Sequence, residues 1–255
     1  MIEDALNGKI DLIVTKSVSR FARNTLNKGF FNKKGRKAEE RELISPLRGL
    51  LLTSALIFYW EMIVEFFGAR NIGMNLTYIV CSSVIAASVI SIFSGIFKQT
   101  YINFIVSIVL KSVLAALFIM EVIYFDISGT YFGIDSYISK YSLKEDWLVG
   151  FFDSWLAVIL IILPLIISVV FFVLYYRIEE DIFGYSKRSI VNYVIVVLVG
   201  VLFYGMLIFF IRYDDSESRP IYDVYSQKTY DYTESTNDFG VLTTFAHSIK
   251  WSIFD

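Results

Sequence analysis

The sequence predicts an all-α, polytopic membrane protein with about five transmembrane helices. The N-terminus is expected in the cytoplasm, and a C-terminal interfacial helix outside. Three observations predict this. Hydrophobic residues make up 56% of the chain and mean hydropathy is +0.58, both above the norm for soluble domains. The charged residues, 19% of the chain, gather between long apolar runs instead of being interspersed. Lys and Arg are also unequally shared between alternate loops.

A spanning helix needs about 20 mostly apolar residues. Five stretches qualify: 49–67, 76–97, 101–125, 149–176 and 190–211. Each is too long and continuous for the short alternating strands of an outer-membrane barrel. Pro164 falls inside the fourth, where membrane helices tolerate a kink. Residues 1–48 are rich in Lys and Arg, from Lys9 to Arg48, and Lys98, Arg177, Lys187 and Arg188 fall on the same side. The opposite side holds only Arg70, Lys140, Lys144, Arg219, Lys228 and Lys250. That bias places the N-terminus inside and residues 213–255 outside. Residues 1–46 carry charges throughout, with no apolar core of the kind a secretory signal needs.

Single copies of Cys81 and His247 leave no internal disulfide, cysteine metal cluster or histidine-based zinc site to build. No metal ligands and no cofactor are therefore expected in this chain.

Charges inside the apolar runs stand out, because a charge in lipid is costly and turns to a partner or a cavity. Glu61 and Glu65 share one face of the first span. Lys111 lies at a depth in the third span similar to that of Glu61 in the first. A Glu61–Lys111 pair is expected, either fixing helix packing or receiving a polar lipid headgroup. Glu65 and Glu121 lie nearer the outer interface and are expected to reach water.

The outer loop, 126–152, interleaves aromatics with acids. Tyr131, Phe132, Tyr137 and Trp147 form either an interfacial aromatic belt or a surface that docks an outer domain or a lipid. Residues 213–238 are polar and tyrosine-rich, as in a linker. Leu242, Phe245, Ile249 and Ile253 then recur at helical spacing, with His247 and Lys250 off the stripe, as in a helix lying on the outer leaflet.

Two resemblances emerge from these residues. Glu121-Val122-Ile123-Tyr124-Phe125-Asp126-Ile127-Ser128-Gly129-Thr130-Tyr131-Phe132, then Tyr222-Asp223-Val224-Tyr225 and Phe239-Gly240-Val241-Leu242-Thr243-Thr244, resemble the membrane region of the lipoteichoic acid synthase family. The likeness covers about residues 47–255. These bacterial phosphoglycerol transferases are related to sulfatases. The resemblance implies a multi-pass protein of the bacterial plasma membrane, with phosphatidylglycerol as a lipid partner. It also implies a catalytic domain outside the membrane, where a threonine acts beside Mn or Mg. No residue of this chain takes that catalytic role. Residues 1–25, with Ile10-Asp11-Leu12-Ile13-Val14-Thr15-Lys16 and Arg20-Phe21-Ala22-Arg23, resemble a fragment of the large serine recombinases. In that family the arginines matching Arg20 and Arg23 help bind the scissile phosphate. One strand and a turn cannot bury a core, so a remnant without recombinase activity is expected, and no nucleic-acid partner.

The expected organisation is a recombinase-like remnant (1–25), a basic lead-in (26–48), a five-helix membrane domain (49–212), and an outer linker with an amphipathic helix (213–255). The expected function is the membrane-anchoring region of a lipoteichoic acid synthase-like phosphoglycerol transferase in cell-envelope polymer synthesis, truncated ahead of its sulfatase-like domain. The rivals are a non-enzymatic membrane protein binding lipid or a partner, and, more remotely, a DNA-recombination protein.

Overall fold

The computed structural model describes residues 47–68, 76–97, 99–131, 146–175, 190–213 and 232–254. The recombinase-like stretch, with Arg20 and Arg23, lies outside the described residues, as does most of the basic lead-in. The described helices are α1 (Leu47–Phe67), α2 (Leu76–Phe93), α3 (Thr100–Ser128), α4 (Asp146–Asp153), α5 (Trp155–Tyr175), α6 (Ile190–Tyr213), α7 (Tyr232–Phe239) and α8 (Val241–Phe254).

Five of them, α1, α2, α3, α5 and α6, are long and apolar enough to cross a membrane. This is a multi-pass helical membrane protein. Its outer surface is apolar: Ile190, Val173, Leu174 and Val201 on α5 and α6 are all more than 60% exposed. A surface of this kind needs lipid as its solvent.

The core centres on α1. Leu50, Ile57, Trp60, Ile63 and Val64 meet residues of α2, α3, α5 and α8. Trp60 packs on Phe118 of α3 with ring centroids 5.8 Å apart. Farther along α3, Phe104 stacks flat on Phe172 of α5 at 3.7 Å. A second cluster joins Tyr78 and Cys81 of α2, Leu207 and Ile211 of α6, and Phe239 at the end of α7.

α2 and α6 form an extensive helix pair. Small residues allow it. A Cβ on Gly200 would stand 3.0 Å from Ser88 Cβ, so any larger residue would have to displace Ser88. Ser88 directs its hydroxyl to the Val84 carbonyl, at 2.8 Å, and leaves no unmet donor at the contact. The turn between α2 and α3 is closed by Asn103, which accepts the Phe97 N–H and donates to the Phe97 carbonyl, both at 2.9 Å.

The fourth span differs from its expected form. The apolar run 149–176 is divided at Ser154 into the short α4 and the spanning α5. Ser154 donates to Asp126 Oδ2 at 3.3 Å, and its carbonyl accepts the Val158 N–H at 3.1 Å. Ser154 thus opens α5 while fastening the junction to the end of α3.

Glu65 and Glu121 do not reach water as expected: they are 3% and 2% exposed. The ends of α1 and α3 that carry them are packed, with Val64, Val122 and Ile123 in the interior.

Candidate functional site

Three consecutive residues of α1, Tyr59, Trp60 and Glu61, satisfy backbone groups of two other helices. Successive helical positions turn by about 100°, so neighbours in sequence can address different partners.

Glu61 is fully buried. Its Oε2 accepts the Val241 N–H at 2.9 Å, and its Oε1 accepts the Leu242 N–H at 3.0 Å. These amides belong to the first turn of α8, where helix N–H groups have no intrahelical acceptor. Such a helix end normally takes a capping oxygen from a Ser, Thr, Asp or Asn side chain just before it. Here that position is Gly240, which has no side chain. Gly240 closes α7 by donating its N–H to the Thr236 carbonyl at 2.9 Å. It also opens α8 by accepting the Thr244 N–H at 3.2 Å. Its φ of +82° suits glycine, and an added Cβ would lie 3.2 Å from both Glu61 Oε2 and Ile79 Cγ1. The missing cap is supplied by α1, 180 residues away in sequence. The partial positive charge of the helix end favours an anion there, and charge-assisted hydrogen bonds are stronger than neutral ones.

α8 then lies on α2 through an unexpected face. Val241, Thr243, Thr244, His247 and Ser248 are buried, whereas Leu242, Phe245 and Ile249 are half-buried. The apolar stripe seen in the sequence is therefore not the main protein-packing face. In lipid, small and hydroxyl-bearing residues serve that purpose. Ser235 of α7 and Thr244 share a hydrogen bond at 3.3 Å, joining the two short helices.

Tyr59 and Trp60 turn to α5. Pro164 has no N–H to give to the carbonyl four residues back, and its ring crowds that turn. The Leu160 carbonyl instead accepts the Tyr59 hydroxyl at 3.3 Å, and the Ile161 carbonyl accepts Trp60 Nε1 at 2.9 Å. The carbonyl left without a donor by Pro164 is thus met by α1. Beside it is a cavity of about 410 Å³ between α1, α3 and α5, and Lys111 is part of its wall.

Glu61 and Lys111, the expected pair, are both buried. The Glu61 carboxylate receives α8, and Lys111 lines the cavity toward Pro164. Glu65, one turn from Glu61, is buried with no hydrogen-bond partner among the described residues. Of the outer-loop aromatics, Tyr131 is 1% exposed and packs on Phe125 at 4.7 Å, so it sits in the core instead of presenting a docking surface. Trp147 is half-buried on α4. Phe132 and Tyr137 lie outside the described residues. Among the described residues, no three His, Cys, Asp or Glu side chains gather as a metal site would require.

Sequence reasoning missed Gly240, Tyr59 and Trp60. Gly240 had a readable signal, a glycine between two helical stretches. The two aromatics had none, since their partners are main-chain carbonyls.

Comparison with protein-family models, curated proteins and solved structures found no match for this chain.

Proposed function

We propose that this chain is a membrane anchor that positions an extracytoplasmic domain, in the manner of the membrane region of lipoteichoic acid synthase-like phosphoglycerol transferases. The bacterial plasma membrane is its site in this reading, and a sulfatase-like domain its partner. The observation that carries the proposal is the Glu61 latch on α8. A polypeptide that merely left the bilayer would need no such fixture. A helix tied at its first turn to the central span holds its far end at a fixed position and angle relative to the membrane. That is what an anchor for an enzyme working on a membrane lipid requires. The resemblance to that family at 121–132 and 239–244 supports the same reading.

An antibody against the α8 sequence, used on membranes of the native cell, tests it. A membrane product well above 29.4 kDa that contains a sulfatase-like domain is the expected result. A product of about 29 kDa, accumulating by itself in the membrane, removes the anchoring role.

A further inference from the structure

We propose that Glu61 and Glu65 share one proton, held by Glu65, and that loss of this proton releases the α7–α8 segment from α1. The proposal rests on the geometry of the latch and not on what α8 carries, so the size of the native product does not bear on it.

Glu65 is 3% exposed, and neither of its oxygens has a hydrogen-bond partner among the described residues. In the interior of a membrane bundle such a group takes up whatever cancels its charge. A metal ion needs several ligands, and among the described residues no three His, Cys, Asp or Glu side chains gather. A proton needs one oxygen. Glu61, four positions earlier, lies on the same face of α1. It receives one amide at each oxygen, so both act as acceptors, as they do in the ionised form. The pair thus divides its chemistry: the charge rests at Glu61, where two N–H groups meet it, and the proton at Glu65, where no donor does.

The helices around α1 bring further titratable groups into the interior: Cys81 of α2, Lys111 and Glu121 of α3, Tyr131 beyond it, Asp238 of α7 and His247 of α8. None of them hydrogen-bonds to Glu65. Glu61 is the charged group that acts on it. Ionising Glu65 therefore sets two like charges one helical turn apart, where water and salt do not screen them. The strain is relieved when one side of the pair meets water. α1 is held in the bilayer by its apolar length, whereas α7 and α8 have 8 and 14 residues and are fastened to α1 at the first turn of α8. The part that moves is therefore the α7–α8 segment. Glu65 is two residues from the end of α1, about 3 Å along the axis, so departure of that segment opens it to the aqueous side. The sign follows. The latched state keeps the proton on Glu65 and the released state gives it up, so rising pH favours release.

The full chain is purified in mild detergent, and cleavage within α7–α8 by a protease of broad specificity is timed from about pH 5 to pH 9. Wild type and Glu65→Gln are run side by side, so the protease's own response to pH cancels in their ratio. Glutamine keeps the size of the side chain and cannot ionise. Cleavage of wild type relative to Glu65→Gln is expected to rise with pH, by up to about tenfold per pH unit, while the spans stay intact. A flat ratio overturns the proposal. Cleavage that spreads to the spans over the same pH range overturns it too, because the opening is then global. A wild-type profile shifted by millimolar calcium or sodium at constant ionic strength would assign the site to a metal ion and overturn the proton. If Glu65→Gln does not fold, Glu65→Met replaces it with the same outcomes. A wild-type profile that follows the protease's action on an unfolded substrate at every pH overturns the proposal without any variant.

Discussion

The two seams that α1 makes solve opposite problems. At α8 the unmet groups are N–H donors at the start of a helix, and α1 answers with a carboxylate. At α5 the Leu160 carbonyl is left without a helical donor by Pro164, and α1 answers with a phenol there and an indole at the neighbouring Ile161 carbonyl. The first seam joins a buried carboxyl group to two main-chain amides, one buried and one half-buried. The second is neutral, and its Tyr59 end is 37% exposed. Both follow from one constraint: in lipid, backbone groups must find partners within the protein. The difference is in cost. Losing the carboxyl partner removes the acceptor of two amides at once, whereas losing a neutral one removes one donor from a carbonyl.

That contrast sets an order of effects. Glu61→Ala should be the most damaging change, about 3 kcal/mol, because it removes two hydrogen bonds to the first turn of α8 at once. It should lower the unfolding midpoint in detergent and expose the α7–α8 segment to protease. A wild-type midpoint would mean that the latch contributes little. Gly240→Val comes next, at about 2 kcal/mol, from the left-handed backbone and from crowding of Glu61 Oε2. Its protease pattern should match that of Glu61→Ala, and a different pattern would separate the elbow from the latch.

On the neutral seam, Trp60→Phe should cost about 1 kcal/mol, since it removes a buried indole hydrogen bond to the Ile161 carbonyl. Protease sensitivity of α8 should not change. If it does, the two seams are not independent. Tyr59→Phe should have the smallest effect, about 0.5 kcal/mol, given a long bond at a partly exposed position. In a Pro164→Ala background, alanine restores the missing N–H, and the Tyr59→Phe effect should vanish. A persistent effect in that double-mutant cycle would show that the phenol acts through something other than the proline gap.

The same contrast explains what the sequence revealed. The five spans were legible because a membrane demands long apolar runs, and α2 and α6 begin at the positions the pattern gave. Glu61 and Lys111 were legible as residues out of place in lipid. The partners of Glu61 were not, since Val241 and Leu242 contribute main-chain amides that leave no mark in side-chain pattern. The division at Ser154 was partly legible: Asp153 and Ser154 are helix-boundary residues, hidden inside a run whose hydrophobicity continues on both sides. Tyr131 misled because a tyrosine at the end of a span reads equally as interface or core, and only the packing of Phe125 against it decides.

The separation of Glu61 from its amides also has a meaning in time. Ribosomes add about 5–20 residues per second, so the 180 residues between them represent roughly 10–40 s of synthesis. The first span is delivered to the bilayer with a carboxylate whose partner has not yet been made. Until translation reaches Leu242, that segment is a guest with an uncompensated polar group, held by the insertion machinery or by neighbouring spans. The Glu61 side chain of α1 therefore gains its partners only once α8 has been made.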